Sequence, residues 1–286
     1  MSERMPVRKT YKLYIGGAFP RSESGRSYPV SSPDGTFLAN AAQASRKDAR
    51  NAVVAARAAF AGWSTASAYN RGQVLYRVAE ILEGRRDQFV DEVTAGEGGS
   101  RSAAAGQVDA AIDRWVWYAG WTDKIAAVAG GSNPVAGPYF DFSIPEPSGV
   151  VAILCPQEAS LLGLVSVLAP VLATGCTAVV VASQERPLPA VTFTEVLATS
   201  DVPAGVVNLL TGHTDEISPC LASHMDVNAM DLTGANRDLA VACEVAAAEN
   251  LKRVIRPAPE EFAAVPGLER MLAVLETKTV WHPIGV

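Results

Sequence analysis

Residues 149–183 read GVVAILCPQEASLLGLVSVLAPVLATGCTAVVVAS. Two uninterrupted apolar runs, 150–154 and 177–182, flank a loop that opens with Pro156 and an apolar segment that stops at Gly175. β-branched runs of this kind belong to strands covered on both faces, as in parallel sheets, and a helix joining two such strands is a right-handed crossover. The stretch therefore predicts a βαβ unit. In an open sheet of such units ligands sit at the carboxyl ends of the strands, which here are the loops 155–160 and 183–186.

Working outward toward the C-terminus, Pro187 opens a helix and Val202-Pro203-Ala204-Gly205 forms a turn into a strand at 206–210. A helix around 216–223 and a short strand at 229–232 follow. Thr233-Gly234-Ala235-Asn236 then leads into a helix at 238–249, and 251–255 reads as one more strand. Four or five βα repeats on one sheet predict a doubly wound α/β architecture, the open sheet of Rossmann-like folds.

Toward the N-terminus, residues 12–33 alternate apolar and polar positions around Gly16-Gly17 and a Ser-rich turn, which predicts a short hairpin, and Asp34-Gly35 turns the chain again. Ser45 is an N-cap for a helix with Ala49, Val53, Ala56 and Phe60 along one face. A second helix runs from Ala68 to the glycines at 96–99, carrying Val74, Leu75, Val78, Ile81 and Leu82. A third holds Trp115, Trp117, Tyr118 and Trp121, an aromatic cluster read as core packing. After a Gly/Pro-rich break at 130–138, Phe140, Phe142 and Ile144 alternate with Tyr139, Asp141 and Ser143. That pattern predicts a strand with one apolar face, stopped by Pro145.

With 286 residues, 49% of them hydrophobic and 19% charged, the chain is long enough to bury a large core. A net charge of −6 argues against sequence-independent nucleic-acid binding, which needs a surplus of Lys and Arg. The longest apolar stretch, in 161–172, is too short to span a bilayer, and MSERMPVRKT lacks the apolar core of a signal peptide, so the expected location is cytoplasmic, without a membrane partner. Cys155, Cys176, Cys220 and Cys243 have no CxxC spacing and read as buried free thiols. His213, His224 and His282 are scattered, so no metal site is expected.

The order of these features resembles the aldehyde dehydrogenase superfamily. YKLYIGGAF (11–19) is similar to that family's N-terminal strand pair, and AARAAFAGW (55–63) and YAGWTDKI (118–125) to its helical layer. PEPSGVVAIL (145–154), LAPVLATGCTAVV (168–180), VPAGVVNLLTG (202–212) and LTGA (232–235) resemble successive pieces of its cofactor domain. Each piece is weak alone, and their collinear order carries the resemblance. It implies a cofactor domain for NAD or NADP, a catalytic domain with a cysteine nucleophile, and an oligomerisation β-flap.

The chain departs from that pattern where chemistry is concerned. Pro156, Gln157 and Glu158 stand where the family has Pro-Trp-Asn, and a carboxylate at 158 repels a developing oxyanion. Val181, Ala182, Ser183 and Gln184 replace the Lys-Pro-Ser/Ala-Glu that holds the adenine ribose. Gly212 alone survives of the glycine-rich step and is followed by Asp215 and Glu216. Thr233 and Gly234 of the phosphate turn remain, while its Ser is Ala235. Pro257 falls where the resemblance places the general-base Glu, and a proline accepts no proton. The tail 272–286 resembles the end of a full-length member, so the catalytic domain is excised internally.

The resemblance thus implies a cofactor-binding-like α/β domain in 1–138 and 149–258 and oligomerisation strands in 139–148 and 270–286. Residues 259–269 become a linker in place of the catalytic domain. No catalytic residue is expected. Gln184, Gly212, Thr233 and Gly234 remain as a vestigial cofactor pocket, with no tightly held cofactor, or NAD or NADP if the pocket still works. Glu260 and Glu261 read as solvated linker charges, and the expected partner is a second copy or a full-length aldehyde dehydrogenase subunit. The alternatives are an NAD(P)-dependent oxidoreductase acting on aldehydes and a nucleotide-sensing module.

Overall fold

A computed structural model describes Met5 and residues 9–285. Its centre is a five-stranded parallel sheet in the order β7-β6-β5-β8-β9, built from β5 (Val150–Leu154), β6 (Thr177–Val181), β7 (Val207–Leu210), β8 (Ala229–Asp231) and β9 (Arg253–Ile255). From β5 the chain winds outward through β6 and β7, then returns to place β8 and β9 on the other side. The βαβ unit is therefore central, and the strand order reverses beside β5.

Alternation along the strands divides the core in two. Val151, Ile153, Ala178 and Val180 pack on the side of α6 (Leu162–Ala173) and α7 (Leu188–Ala198). Val150, Ala152, Leu154, Val179 and Val181 pack on the side of α1 (Arg46–Thr65), α8 (Thr214–Ser223) and α9 (Arg237–Ala248). All twelve residues of α6 are buried, because α2 (Ala68–Gly84) and α4 (Arg101–Trp121) lie over it as a further layer, with α3 (Arg86–Glu97) beside them. Trp115 and Tyr118 of α4 are core residues at 0% and 2% exposure, so the aromatic cluster is scaffold.

Local chemistry explains the helix starts. Ser45 and Asp48 form a reciprocal capping box at α1, and the buried Asp48 also accepts from Ser22 Oγ at 2.7 Å, tying the N-terminal loop to that helix. Ser67, Ser100 and Asn236 cap α2, α4 and α9. Gly175 leaves α6 at φ +93°, a conformation that favours glycine.

Three expectations change. The helix beginning at Ala68 breaks after Gly84, and α3 starts at Arg86. The N-terminal hairpin is displaced: 15–18 make only a tight turn, with Tyr14 bridged to Leu209 at the sheet edge. The paired strands are β1 (Ser27–Ser31) and β2 (Phe37–Ala42), which turn at Asp34-Gly35. Pro145 does not stop its strand. β4 (Tyr139–Pro147) runs through it as the middle strand of a separate antiparallel sheet, β10-β4-β3, with β3 (Gly131–Asn133) and β10 (Leu275–Pro283). Pairing with β3 begins only at Ser143, so the proline's missing N–H falls where that side of β4 has no ladder to lose. Short helices α5 (Ile125–Ala129) and α10 (Glu269–Ala273) lead into β3 and β10.

Candidate functional site

The carboxyl ends of β5, β6 and β8 and the start of α8 surround a cavity of about 330 Å³, lined by Gln157, Gln184, Glu185, Thr214, Asp215, Gly234, Asn236 and Leu239. Of the four residues expected there, Gln184 and Gly234 line it. Gly212 and Thr233 do not.

Side chains of the protein itself bridge the cavity. Gln157 Nε2 donates to the Cys155 carbonyl at 2.9 Å, and Gln157 Oε1 accepts from the Gln184 amide at 2.9 Å. Gln184 Oε1 then accepts from the Thr214 amide at 3.2 Å. That amide is the first of α8, where a helix dipole and open N–H groups ordinarily attract an anion. At α9, Asn236 Oδ1 takes the Leu239 amide at 2.9 Å. Both helix starts facing the cavity are thus capped from within, and the Glu185 and Asp215 carboxylates stand on its wall.

Gly234 is required by packing. Its amide donates to Leu154 O at 2.9 Å, and a Cβ there would stand 1.8 Å from the Cys155 carbonyl oxygen. Gly212, at φ +139°, lets the chain leave β7 against Ala44, whose amide would lie 3.1 Å from a Cβ. Thr233 belongs to a different cluster. Its amide and hydroxyl donate to Asp231 Oδ1 at 3.0 and 2.5 Å, and Arg270 Nη2 donates to its Oγ1 at 3.0 Å.

That cluster is a feature the sequence analysis missed. Asp231, 1% exposed at the end of β8, pairs with Arg270 Nη1 at 2.5 Å, and Arg270 also pairs with Glu260. Burial pushes the Asp231 carboxyl above its ordinary value, against the pull of Arg270 and Thr233. Glu260 and Glu261 are both exposed, as solvated linker charges are expected to be, and Glu260 adds an ion pair with Arg270. Arg114, 6% exposed on α4, donates to Ser166 Oγ and to the carbonyls of Phe262 at 2.5 Å and Ala264 at 2.7 Å. Two arginines thus pin residues 260–264 across the sheet end. The readable signal was an aspartate inside the apolar run AMDL.

A dinucleotide pyrophosphate fits this donor set poorly. The α8 amide is occupied, carboxylates line the wall, and Val181 is fully buried and offers no hydrogen bond. One group points the other way: among the described residues, Thr214 Oγ1 is buried without a hydrogen-bond partner. The setting of Cys155 disfavours a thiolate nucleophile. Its thiol is 2% exposed, and burial, with Asp231 nearby, pushes its pKa far up. Among the described residues no three His, Cys, Asp or Glu side chains gather as a metal site. No helix there is long and apolar enough to cross a membrane.

Comparison with known proteins agrees with the fold and the order of its parts. The profile of the aldehyde dehydrogenase family matches residues 19–256. Human retinal dehydrogenase 2 is 34% identical over 253 residues, covering 86% of this chain and 48% of the relative. Cytosolic aldehyde dehydrogenase 1 of Elephantulus edwardii is 33% identical over 251 residues, covering 85% and 49%. The NAD+ complex of an aldehyde dehydrogenase from Bacillus cereus superposes with a TM-score of 0.81 at 26% identity, covering 86% of this chain and 50% of that one. The chain spans about half the length of these relatives. With its collinear motifs, its Rossmann-like sheet and a family match over 19–256, this chain belongs to the aldehyde dehydrogenase family.

Proposed function

We propose that the chain is a non-catalytic member of the family, a structural or regulatory subunit that associates with itself or with a full-length aldehyde dehydrogenase through the sheet β10-β4-β3. In this reading 139–148 and 270–286 are the oligomerisation strands, and 259–269 close the sheet end in place of a catalytic domain. The observation that carries it is β10. It is a nine-residue strand at the free edge of its sheet, and edges of that length pair readily with another chain. The sheet exposes aromatic side chains: Phe140 at 50%, Tyr139 at 42% and Trp281 at 59%, with Tyr139 packed edge-on against Trp281 at 5.7 Å. Exposed apolar clusters of this kind mark interaction surfaces.

The disfavoured thiolate of Cys155 and Pro257 in the place of the general base support the non-catalytic half of the proposal. Light scattering after size exclusion tests the other half. An assembly is expected for the wild type, alone or co-expressed with a full-length relative, and a shift to monomer for Trp281→Ser/Phe140→Ser. A wild-type chain that stays monomeric and ignores the co-expressed relative overturns the proposal, as does NAD(P)H formation from an aldehyde by the purified chain. A second reading, weak holding of NAD, NADP or an adenine nucleotide, rests on the open Thr214 hydroxyl beside Gln184. Titration with these nucleotides decides it, and binding no tighter than millimolar leaves the subunit reading alone.

A further inference from the structure

A second cavity, of about 370 Å³, lies against the β1–β2 hairpin, between residues 9–12, 21–27 and β2. Its charge is one-sided. Lys9, Lys12, Arg21 and Arg26 all line it, and among the described residues no carboxylate does, in a chain whose net charge is −6. Lys9 is neutralised by Glu195 at 2.7 Å, and Arg26 is weakly matched by Glu216 at 3.5 Å. Lys12 and Arg21 have no ion-pair or hydrogen-bond partner among the described residues. Nor does the Asn40 side chain or the Ser27 hydroxyl, which add neutral hydrogen-bonding groups to the same wall.

With Lys9 and Arg26 paired, the uncompensated charges of Lys12 and Arg21 leave the concavity with a net positive field that favours an anion. Guanidinium and ammonium groups together with hydroxyl and amide groups suit the many acceptor oxygens of phosphates. The volume exceeds that of a lone phosphate and falls in the range of small-molecule sites. The buried Tyr11 ring lies on the wall, with the Lys9 ammonium 5.0 Å from its centroid, which gives a planar group an aromatic neighbour.

We propose that this cavity binds a small anion carrying a diphosphate, with Lys12 and Arg21 as its principal ligands. The site is separate from the cavity at the sheet end and does not depend on the proposed subunit role. The test is calorimetric titration of the full chain at low salt with two probes, inorganic pyrophosphate and ADP. Binding is expected for pyrophosphate, weakened at least tenfold in Lys12→Ala/Arg21→Ala and retained in Lys12→Arg/Arg21→Lys. ADP binding tighter than pyrophosphate identifies a nucleoside diphosphate, and equal affinity identifies the diphosphate alone. Because neither side chain has a partner, the alanine variant is expected to unfold at the wild-type temperature. Should it not fold, loss of binding at 0.5 M salt together with retention in the conservative variant carries the test. No binding of either probe at millimolar concentration overturns the proposal. So does binding that survives in Lys12→Ala/Arg21→Ala but is lost in Gln184→Ala, which assigns the anion to the other cavity.

Discussion

Arg270→Met breaks the buried ion pair that closes the sheet end, together with the Glu260 pair and the hydrogen bond to Thr233. Asp231 is 1% exposed, and the Arg270 side chain is 15% exposed, so the pair is largely out of water. Removing the arginine leaves a buried carboxylate with only the Thr233 amide and hydroxyl as donors, and breaking a buried pair from one side costs about 3–5 kcal/mol. At roughly 2–4 °C per kcal/mol for a chain of this size class, the melting temperature is expected to fall by about 6–20 °C at pH 7.5. The loss depends on pH in a fixed sense. Burial already raises the Asp231 pKa, and losing Arg270 raises it further. An acid whose folded pKa lies above its unfolded value, about 4, loses stability as pH rises from that value through the folded one. The deficit of the variant is therefore smaller at pH 5 than at pH 7.5. Asp231→Leu/Arg270→Met, which removes both charges, is expected to recover much of the loss. Thermal unfolding of wild type, both single variants and the double variant gives the coupling directly. An Arg270→Met deficit under about 1 kcal/mol at pH 7.5, or one that does not shrink at pH 5, refutes the account of a buried, load-sharing pair.

Thiol chemistry gives an independent check on burial. Cys155, Cys176 and Cys243 are buried and Cys220 is half-buried, so one fast-reacting thiol per native chain is expected with a disulfide reagent, absent in Cys220→Ser, and four after denaturation. Rapid labelling of Cys155 would contradict the burial that disfavours its thiolate. Alkaline titration probes the core that also holds Cys155 and Cys176. Tyr11 and Tyr118 are both pushed up to about 12, chiefly by burial, whereas unfolded tyrosines ionise near 10. Stability is therefore lost as pH rises from about 10 toward 12, and Tyr118→Phe flattens that decline; phenolate absorbance tracked beside unfolding measures it.

The legibility of this protein divides along physical lines. Residues 150–154 and 177–181 are strands on the evidence of their own composition, since an unbroken β-branched run has few other uses, and both lie where the sequence places them. The order of βα units followed from the same local signals. The Pro145 expectation failed because a proline's cost depends on which neighbour is present, and the short reach of β3 is not written in β4. The N-terminal hairpin failed in a similar way: Tyr14 finds a partner in Leu209, far along the chain, and leaves 27–31 to pair with 37–42. At the candidate site the residue types were legible, but their use was not. Gln184 read as a weakened ribose ligand, whereas here its side chain caps α8 in concert with Gln157. Asp231 and Arg270 lie 39 residues apart, beyond the reach of any periodicity.

The burial of α6 on every side has a consequence for motion. A surface helix frays by trading its amide bonds for water, but α6 lies under α2 and α4 on one side and the sheet on the other, with all twelve residues buried. With the whole helix buried, local fraying offers its amides little access to solvent, so their hydrogen exchange is expected to wait for the layers to separate and to be among the slowest in the molecule.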